Sequence, residues 1–299
     1  MPAPAAPQDP AARGRPIGVF DSGVGGLTVL HELLVALPQE DFVYLGDTAR
    51  FPYGDRTQRE LEAFALEIAE ALLAQGAKLL VVACNSATAA ALPALKRRML
   101  ETTLGVDVIG VVKPEALQAV AATGTGRIGL LATPATVASG AYADAVRAAD
   151  EHVSLTSVAC PDLAPIIQDG APFDHGVVEI VRGYCEPLRE AEVDTVILGC
   201  THYPLVRPLL QRALGPTVTI ISSGAAVARQ AQHALVARGL DAPAVVGGGE
   251  GRYVFECTGD PERFRALGTR FLQMPLGPVD QVVLHPAGAP RARPEVAVP

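Results

Sequence analysis

Between Ile17 and Leu272, short apolar runs alternate with segments whose apolar residues recur every three or four positions. RPIGVFDS reads as a strand, GGLTVLHELLVAL as a helix, and DFVYLGD as a second strand ending at Asp47. The next helix has an explicit start, because Thr57 and Glu60 are spaced as a capping box. Its apolar stripe is Leu61, Phe64, Ile68 and Leu72, and Gly76 terminates it. A strand then runs into Cys84. Further strands are predicted over 106–112, at RIGLLAT, and over 152–160, 194–200 and 217–224. Strands alternating with helices of ordinary length imply parallel sheets built from right-handed βαβ units, so the fold class is α/β.

The pattern also repeats. IGVFDSG precedes the run ending at Cys84 much as IGLLATP precedes the run ending at Cys200, with Ile17 and Ile128 at similar distances ahead of their cysteines. Two similar parallel-sheet α/β domains facing across a cleft, related by a pseudo-twofold, are therefore expected. The expected boundaries are 17–108 and 222–275 for a discontinuous first domain and 109–221 for the second. Residues 1–16, with prolines throughout, read as a disordered lead-in, and 276–299 as a loosely ordered tail without helical or strand period.

Composition narrows the function classes. A chain of 299 residues holds two domains with proper cores. Apolar content of 49% against 19% charge indicates a globular chain. The net charge of -8, without a basic patch, argues against nucleic acid as a partner. The most apolar stretch, 63–95, is interrupted by Glu67, Glu70, Gln75, Lys78 and Asn85, which argues against a membrane span, and no secretory signal is visible. A cytoplasmic protein is expected. Five cysteines, an odd set without C-x-x-C spacing, fit reduced thiols rather than disulfides or structural zinc.

Two of those cysteines carry the chemistry. Cys84 and Cys200 each end an apolar run and are followed by small polar residues, in ACNSATA and GCTHYPL. The carboxyl end of a parallel strand is where ligands bind in such folds. A lone strand cysteine is ordinarily a packing residue; the paired arrangement favours two thiols offered to one cleft, an acid/base group on either face of a small molecule. Asn85 and Ser86 supply hydrogen bonds, and the imidazole of His202 is placed to lower a thiol pKa or relay its proton. Cys160, Cys185 and Cys257 read as structural, His31 as a helix-surface residue, and His175 as part of a loop. A metal site on Cys200 and His202 lacks further ligands. The turn DSGVGGLTVL partly fits a dinucleotide fingerprint through Gly23 and Gly25, but Thr28 occupies the third glycine position and Asp21 would face the pyrophosphate. The same helix start suits a carboxylate, with Asp21 holding or shuttling a proton beside it, or Asp21 and Ser22 serve only as a cap.

The segments IGVFDSGVGGLTVL, FVYLGDTARFPYG, VVACNSATAAAL, LLATPATVASGAY and VILGCTHYPLV resemble the glutamate racemase family from about 17 to about 272. That resemblance implies interconversion of L- and D-glutamate without cofactor, supplying D-glutamate for peptidoglycan. It implies Cys84 and Cys200 as the acid/base thiols, Cys84 acting on the D isomer and Cys200 on the L isomer, assisted by Asp21 and His202. Substrate contacts are implied at Ser22, Tyr53, Gly54, Asn85, Ser86 and Thr201. Three positions depart from the family pattern: Ser86 stands for the usual Thr, the returning strand reads Ser222-Ser223-Gly224 in place of Asp-Ser-Gly, and Lys113 and Glu115 differ from the usual residues. No credible pyridoxal lysine is present among Lys78, Lys96 and Lys113. Two facing cysteines would serve a racemase of aspartate or a hydantoin equally well, and a different class, a non-catalytic two-domain amino-acid-binding protein, also closes on such a ligand. The sequence leaves open whether the chain acts alone or as a homodimer.

Overall fold

The computed structural model describes residues 10–103, 105–170, 174–243 and 249–286. Among the described residues, ten parallel strands form two sheets. The strands are β1 (Ile17–Asp21), β2 (Phe42–Gly46), β3 (Leu79–Val82), β4 (Asp107–Gly110), β5 (Arg127–Ala132), β6 (Ser154–Ala159), β7 (Thr195–Gly199), β8 (Thr219–Ile221), β9 (Tyr253–Cys257) and β10 (Val279–Gln281). The six-stranded sheet has the order β10-β9-β2-β1-β3-β4 and the four-stranded sheet the order β6-β5-β7-β8. The run β2-β1-β3-β4 thus matches β6-β5-β7-β8 strand for strand. β1 lies beside β3, which leads to Cys84, just as β5 lies beside β7, which leads to Cys200.

Helices cover both faces, so β1, β2, β3 and β7 are buried along their whole length and read as continuous apolar runs. The helix Gln58–Ala74 starts at Thr57 with both bonds of the capping box in place. Leu61, Ile68 and Leu72 on its stripe are fully buried, and Phe64 packs partly buried beside them. One contiguous apolar core spans the two halves, joining Leu27, Leu30 and Val81 to Leu198, Tyr203 and Val227.

Several expectations need correction. Ile109 and Gly110 pair with Val81 and Val82, so β4 belongs wholly to the six-stranded sheet and the chain crosses over after it rather than at 109. The reason is the matched strand order: β4 closes the first sheet as β8 closes the second. Part of the lead-in is structured. Pro10–Arg13 forms a helical turn, the Arg13 guanidinium donates to the Asp241 carbonyl at 2.7 Å, and the buried Lys78 ammonium donates to the Arg13 carbonyl. Residues 1–9 lie outside the described residues. Where the tail shows no strand period, β10 pairs with β9 as a short edge strand; residues 287–299 lie outside the described residues. His175 opens the helix His175–Glu190 instead of sitting in a loop, because Asp174 accepts from the Val177 amide and caps the helix there. His31 is half-buried, its Nδ1 2.9 Å from the Leu272 carbonyl.

Candidate active site

β3 ends at Val82, and two residues later Cys84 caps the helix Asn85–Thr102, with Sγ accepting from the Ala87 amide at 3.4 Å. β7 ends at Gly199, and Cys200 follows at once. Each thiol therefore stands at the carboxyl edge of a different sheet. Both line one cavity, with Ser22, Tyr53, Gly54, Asn85, Ser86, Thr201 and His202 in the same wall. The free volume is about 20 Å³, room for one water. The halves must part to admit a larger ligand, and the closed form excludes solvent from the thiols.

Asp21 stands one layer behind that wall. It ends β1, is fully buried, and accepts from the Gly23 amide at 3.0 Å and from the Thr201 hydroxyl at 3.3 Å. Burial pushes its pKa up to about 6 against the pull of those hydrogen bonds, which include one from the Gly26 amide. The Gly23 and Gly26 amides ahead of the helix Leu27–Ala36 are thus turned onto the chain's own carboxylate, and those of Leu27, Thr28 and Val29 bond the carbonyls of Val24, Gly25 and Gly26. They are not a free anion site, which corrects the expectation of a ligand carboxylate there. The glycines of this turn serve closeness instead. A Cβ on Gly25 would sit 2.3 Å from Thr201 Oγ1 and 2.4 Å from His202 Nδ1, and one on Gly26 2.7 Å from the Tyr44 hydroxyl. Gly25 lets the Asp21 turn of one half press against the Cys200 turn of the other.

His202 is buried with Nδ1 3.9 Å from Cys200 Sγ and Nε2 2.9 Å from Gln168 Oε1. Its ring packs between Phe51 and Phe271, with centroids at 5.4 and 5.2 Å. Burial lowers its pKa to about 3. The imidazole is neutral, so it does not lower the thiol pKa through a positive charge as the sequence suggested. With Gln168 Oε1 accepting from Nε2–H, Nδ1 presents a lone pair toward Cys200. Burial also holds both thiols protonated: the Cys84 pKa is pushed up to about 12 by desolvation and by the Asp21 charge, and that of Cys200 is raised well above its ordinary value, chiefly by desolvation. Thiolate formation in this cavity requires a nearby positive charge and an adjacent proton acceptor.

The remaining expected contacts are unequal. The Tyr53 hydroxyl donates to the buried Asp47 carboxylate, so the residue offers the cavity its ring and backbone rather than its oxygen. Gly54 lies against Thr133. Ser86 Oγ is 2.9 Å from Thr133 Oγ1 and 3.1 Å from Thr136 Oγ1, so the hydroxyl that replaces the usual Thr ties one half to the other. Lys113 is exposed, whereas Glu115 is fully buried and linked to Asn85 and Tyr142. Cys160, Cys185 and Cys257 are fully buried and none lines the cavity.

Sequence reasoning missed Asp47, Thr133, Gln168, Glu115 and Tyr142. Asp47 and Thr133 follow β2 and β5, so the strand-end rule that found the cysteines would have found them too. Gln168 is a buried polar side chain in the short apolar helix Leu163–Asp169, a weaker signal of the same kind. Among the described residues, no cluster of His, Cys, Asp or Glu has the arrangement of a metal site. Lys78 is spent on a buried ion pair with Glu40 at 2.6 Å, and Lys96 and Lys113 are exposed, so none of the three lines the cavity.

Comparison with known proteins adds independent support. The family model for Asp/Glu/hydantoin racemases matches residues 20–231. A glutamate racemase of Mycobacterium tuberculosis is 45% identical over 276 residues, covering 91% of this chain and 97% of that one. A glutamate racemase isoform of Bacillus anthracis, 38% identical, superposes with a TM-score of 0.84 over 91% of this chain and 98% of that one. A Francisella tularensis glutamate racemase solved with D-glutamate, 30% identical, gives 0.82 over the same shares.

Proposed function

The chain belongs to the Asp/Glu/hydantoin racemase family, and from that membership and the geometry of the cavity we propose that it interconverts L- and D-glutamate with Cys84 and Cys200 as its two acid/base groups. It is an isomerase acting on amino acids, and D-glutamate for peptidoglycan is its product. One observation carries the reading of the mechanism: the two thiols, from equivalent strand ends of two sheets, line a single narrow cavity.

The chemistry follows from that placement. One cysteine, as thiolate, takes the α-hydrogen as a proton; the C–H electron pair stays on the substrate as a carbanion delocalised into the carboxylate. The opposite cysteine, as thiol, gives its proton to the other face of the same carbon. The configuration is inverted and the two sulfurs have exchanged protonation states. Cys84 works on the D isomer and Cys200 on the L isomer in this reading. The α-hydrogen is weakly acidic, so alignment and exclusion of water are needed, and the closed cavity provides both. An entering ammonium supplies the positive charge that the buried thiols lack, Asp21 lies behind Cys84 as a proton acceptor, and Nδ1 of His202 faces Cys200. Ser22, Asn85, Ser86, Thr201 and the Tyr53-Gly54 backbone hold the substrate.

No step in this scheme calls on a metal or an organic cofactor, and that independence is part of the proposal. A cytoplasmic enzyme, acting alone or as a homodimer, fits the same reading; among the described residues no helix is long and apolar enough to cross a membrane. Incubation of the purified chain with L-glutamate alone, followed by polarimetry, tests the function. Decay of rotation to zero is expected, whereas inversion of aspartate or a hydantoin but not glutamate would reassign the substrate.

A further inference from the structure

Asn85 connects the cavity to the interior between the two halves. Its Nδ2 lies 3.1 Å from Glu115 Oε2 and 2.6 Å from the Tyr142 hydroxyl oxygen, on the same side, so that one amide hydrogen is shared between the two acceptors. Tyr142 donates its own hydrogen to the same Oε2. The three residues come from separate elements: the helix after Cys84, the crossover helix Val112–Ala122, and the helix Ala141–Ala149 of the second half. All three are 2% exposed or less.

This closed ring of bonds fixes the amide. Nitrogen donates and oxygen only accepts, so the Asn85 amide turned over would set its carbonyl against an oxygen that is already an acceptor. In the orientation that satisfies the ring, Asn85 Oδ1 is buried without a partner, on a residue that lines the cavity. A buried carbonyl in that condition is costly until a donor reaches it. An ammonium group is such a donor. Burial raises the Glu115 pKa to about 8 in spite of the bonds from Tyr142, Ser223 and Asn85, so near neutral pH the carboxyl is uncharged, with its proton on Oε1 and Oε2 left as the acceptor, and does not compete for the cation.

We propose that Glu115 and Tyr142 are positioning residues that act through Asn85, holding its amide nitrogen and so aiming its carbonyl at the ammonium group of the amino-acid substrate. The inference rests on the glutamate reading above and deepens it, since it assigns to a position where this chain departs from the resembled family a role in recognising the substrate's positive end.

Steady-state kinetics with both glutamate isomers, alongside inhibition by glutarate, which keeps the two carboxylates and lacks the ammonium, tests it. Tyr142→Phe and Glu115→Ala raise KM for both isomers about tenfold or more, with kcat changed no more than about threefold. Glutarate inhibition moves less than about twofold, because the lost contact is to a group glutarate does not have. Glu115→Gln, which retains an acceptor oxygen, restores most of what Glu115→Ala loses. In an Asn85→Ala background Tyr142→Phe adds nothing further. Tyr142→Phe removes a single oxygen and decides the matter if Glu115→Ala does not fold. Equal weakening of glutarate and glutamate, or effects that multiply in the double variant, would overturn the proposal in favour of a purely structural role. Wild-type protein inert toward glutamate would overturn the functional reading itself; active wild type with unmoved variants would overturn this inference alone.

Discussion

Gln168 Oε1 and His202 Nε2 lie 2.9 Å apart, a contact that joins the helix after β6 to the turn after β7 and leaves Nδ1 as the ring nitrogen facing Cys200. The role assigned to His202 therefore depends on a residue 34 positions away in the chain. Gln168→Leu is expected to lower kcat/KM by about tenfold to a hundredfold, by loss of the bond that orients the ring. Gln168→Glu, whose carboxylate still accepts from Nε2–H, retains most of the activity. Because the two isomers are equal in free energy, the loss in kcat/KM must be the same from L and from D; measuring both directions checks that the variant is being read correctly.

The thiols give the largest effect. A serine hydroxyl is far too weakly acidic to act as an anionic base at neutral pH, so Cys84→Ser and Cys200→Ser each lose about 1000-fold or more, a barrier increase of ~4 kcal/mol. Cys160→Ser, Cys185→Ser and Cys257→Ser keep near-normal kcat, since these fully buried residues stand outside the cavity. Kinetics on the five single variants separates the two groups.

Gly25→Ala tests the contact between halves. The added methyl meets Thr201 Oγ1 and His202 Nδ1 at 2.3 and 2.4 Å, distances that force one turn away from the other. A stability loss of ~1 to 3 kcal/mol is expected, together with a fall in kcat larger than that of any variant confined to the surface. Denaturant titration and kinetics on the same preparation measure both; wild-type values in each would show that the turns are free to separate.

The pH dependence has a definite sign. Asp21 has its pKa raised from 3.8 to about 6, so between those values the folded state holds a proton that the unfolded chain has lost. Stability is therefore greatest below pH 3.8 as far as this group is concerned and falls as pH rises to about 6, by about 3 kcal/mol. Glu115, raised from 4.5 to about 8, continues the decline toward pH 8. His202, lowered to about 3, gives no titration between pH 5 and 9. If ionised Asp21 is the acceptor behind Cys84, kcat/KM falls on the acid side with an apparent pKa near 6, and Asp21→Asn abolishes that limb along with most of the rate. A limb that survives unchanged in Asp21→Asn would assign it to another group.

Much of this was legible because the governing signals are local. Apolar runs ending in Cys-Asn-Ser and Cys-Thr-His mark strand ends, and Thr57 with Glu60 marks a helix start. What escaped was either weak or distant. β10 has three residues at an exposed edge, too few to show a period. β4 carries no mark of which sheet it joins, because that is settled by pairing with Val81 and Val82. The ring of Asn85, Glu115 and Tyr142 joins positions 30 and 57 residues from Asn85, and no local pattern encodes such a meeting. The thiol pKa values were misjudged for a related reason: the neighbouring imidazole is visible in the sequence, whereas the burial that neutralises it is a property of the closed fold.

The central claim is that two different sulfurs serve the two faces of one carbon, and the first turnovers in deuterated water test it most directly. A thiol carries one proton, so the proton taken from L-glutamate by one cysteine cannot be the one delivered by the other. Starting from L-glutamate, the earliest D-glutamate should carry deuterium at the α-carbon while the remaining L-glutamate is still largely protiated, and the reverse reaction should mirror this. Early D product that retained its original protium would mean that a single base serves both faces, and the paired roles of Cys84 and Cys200 would be contradicted.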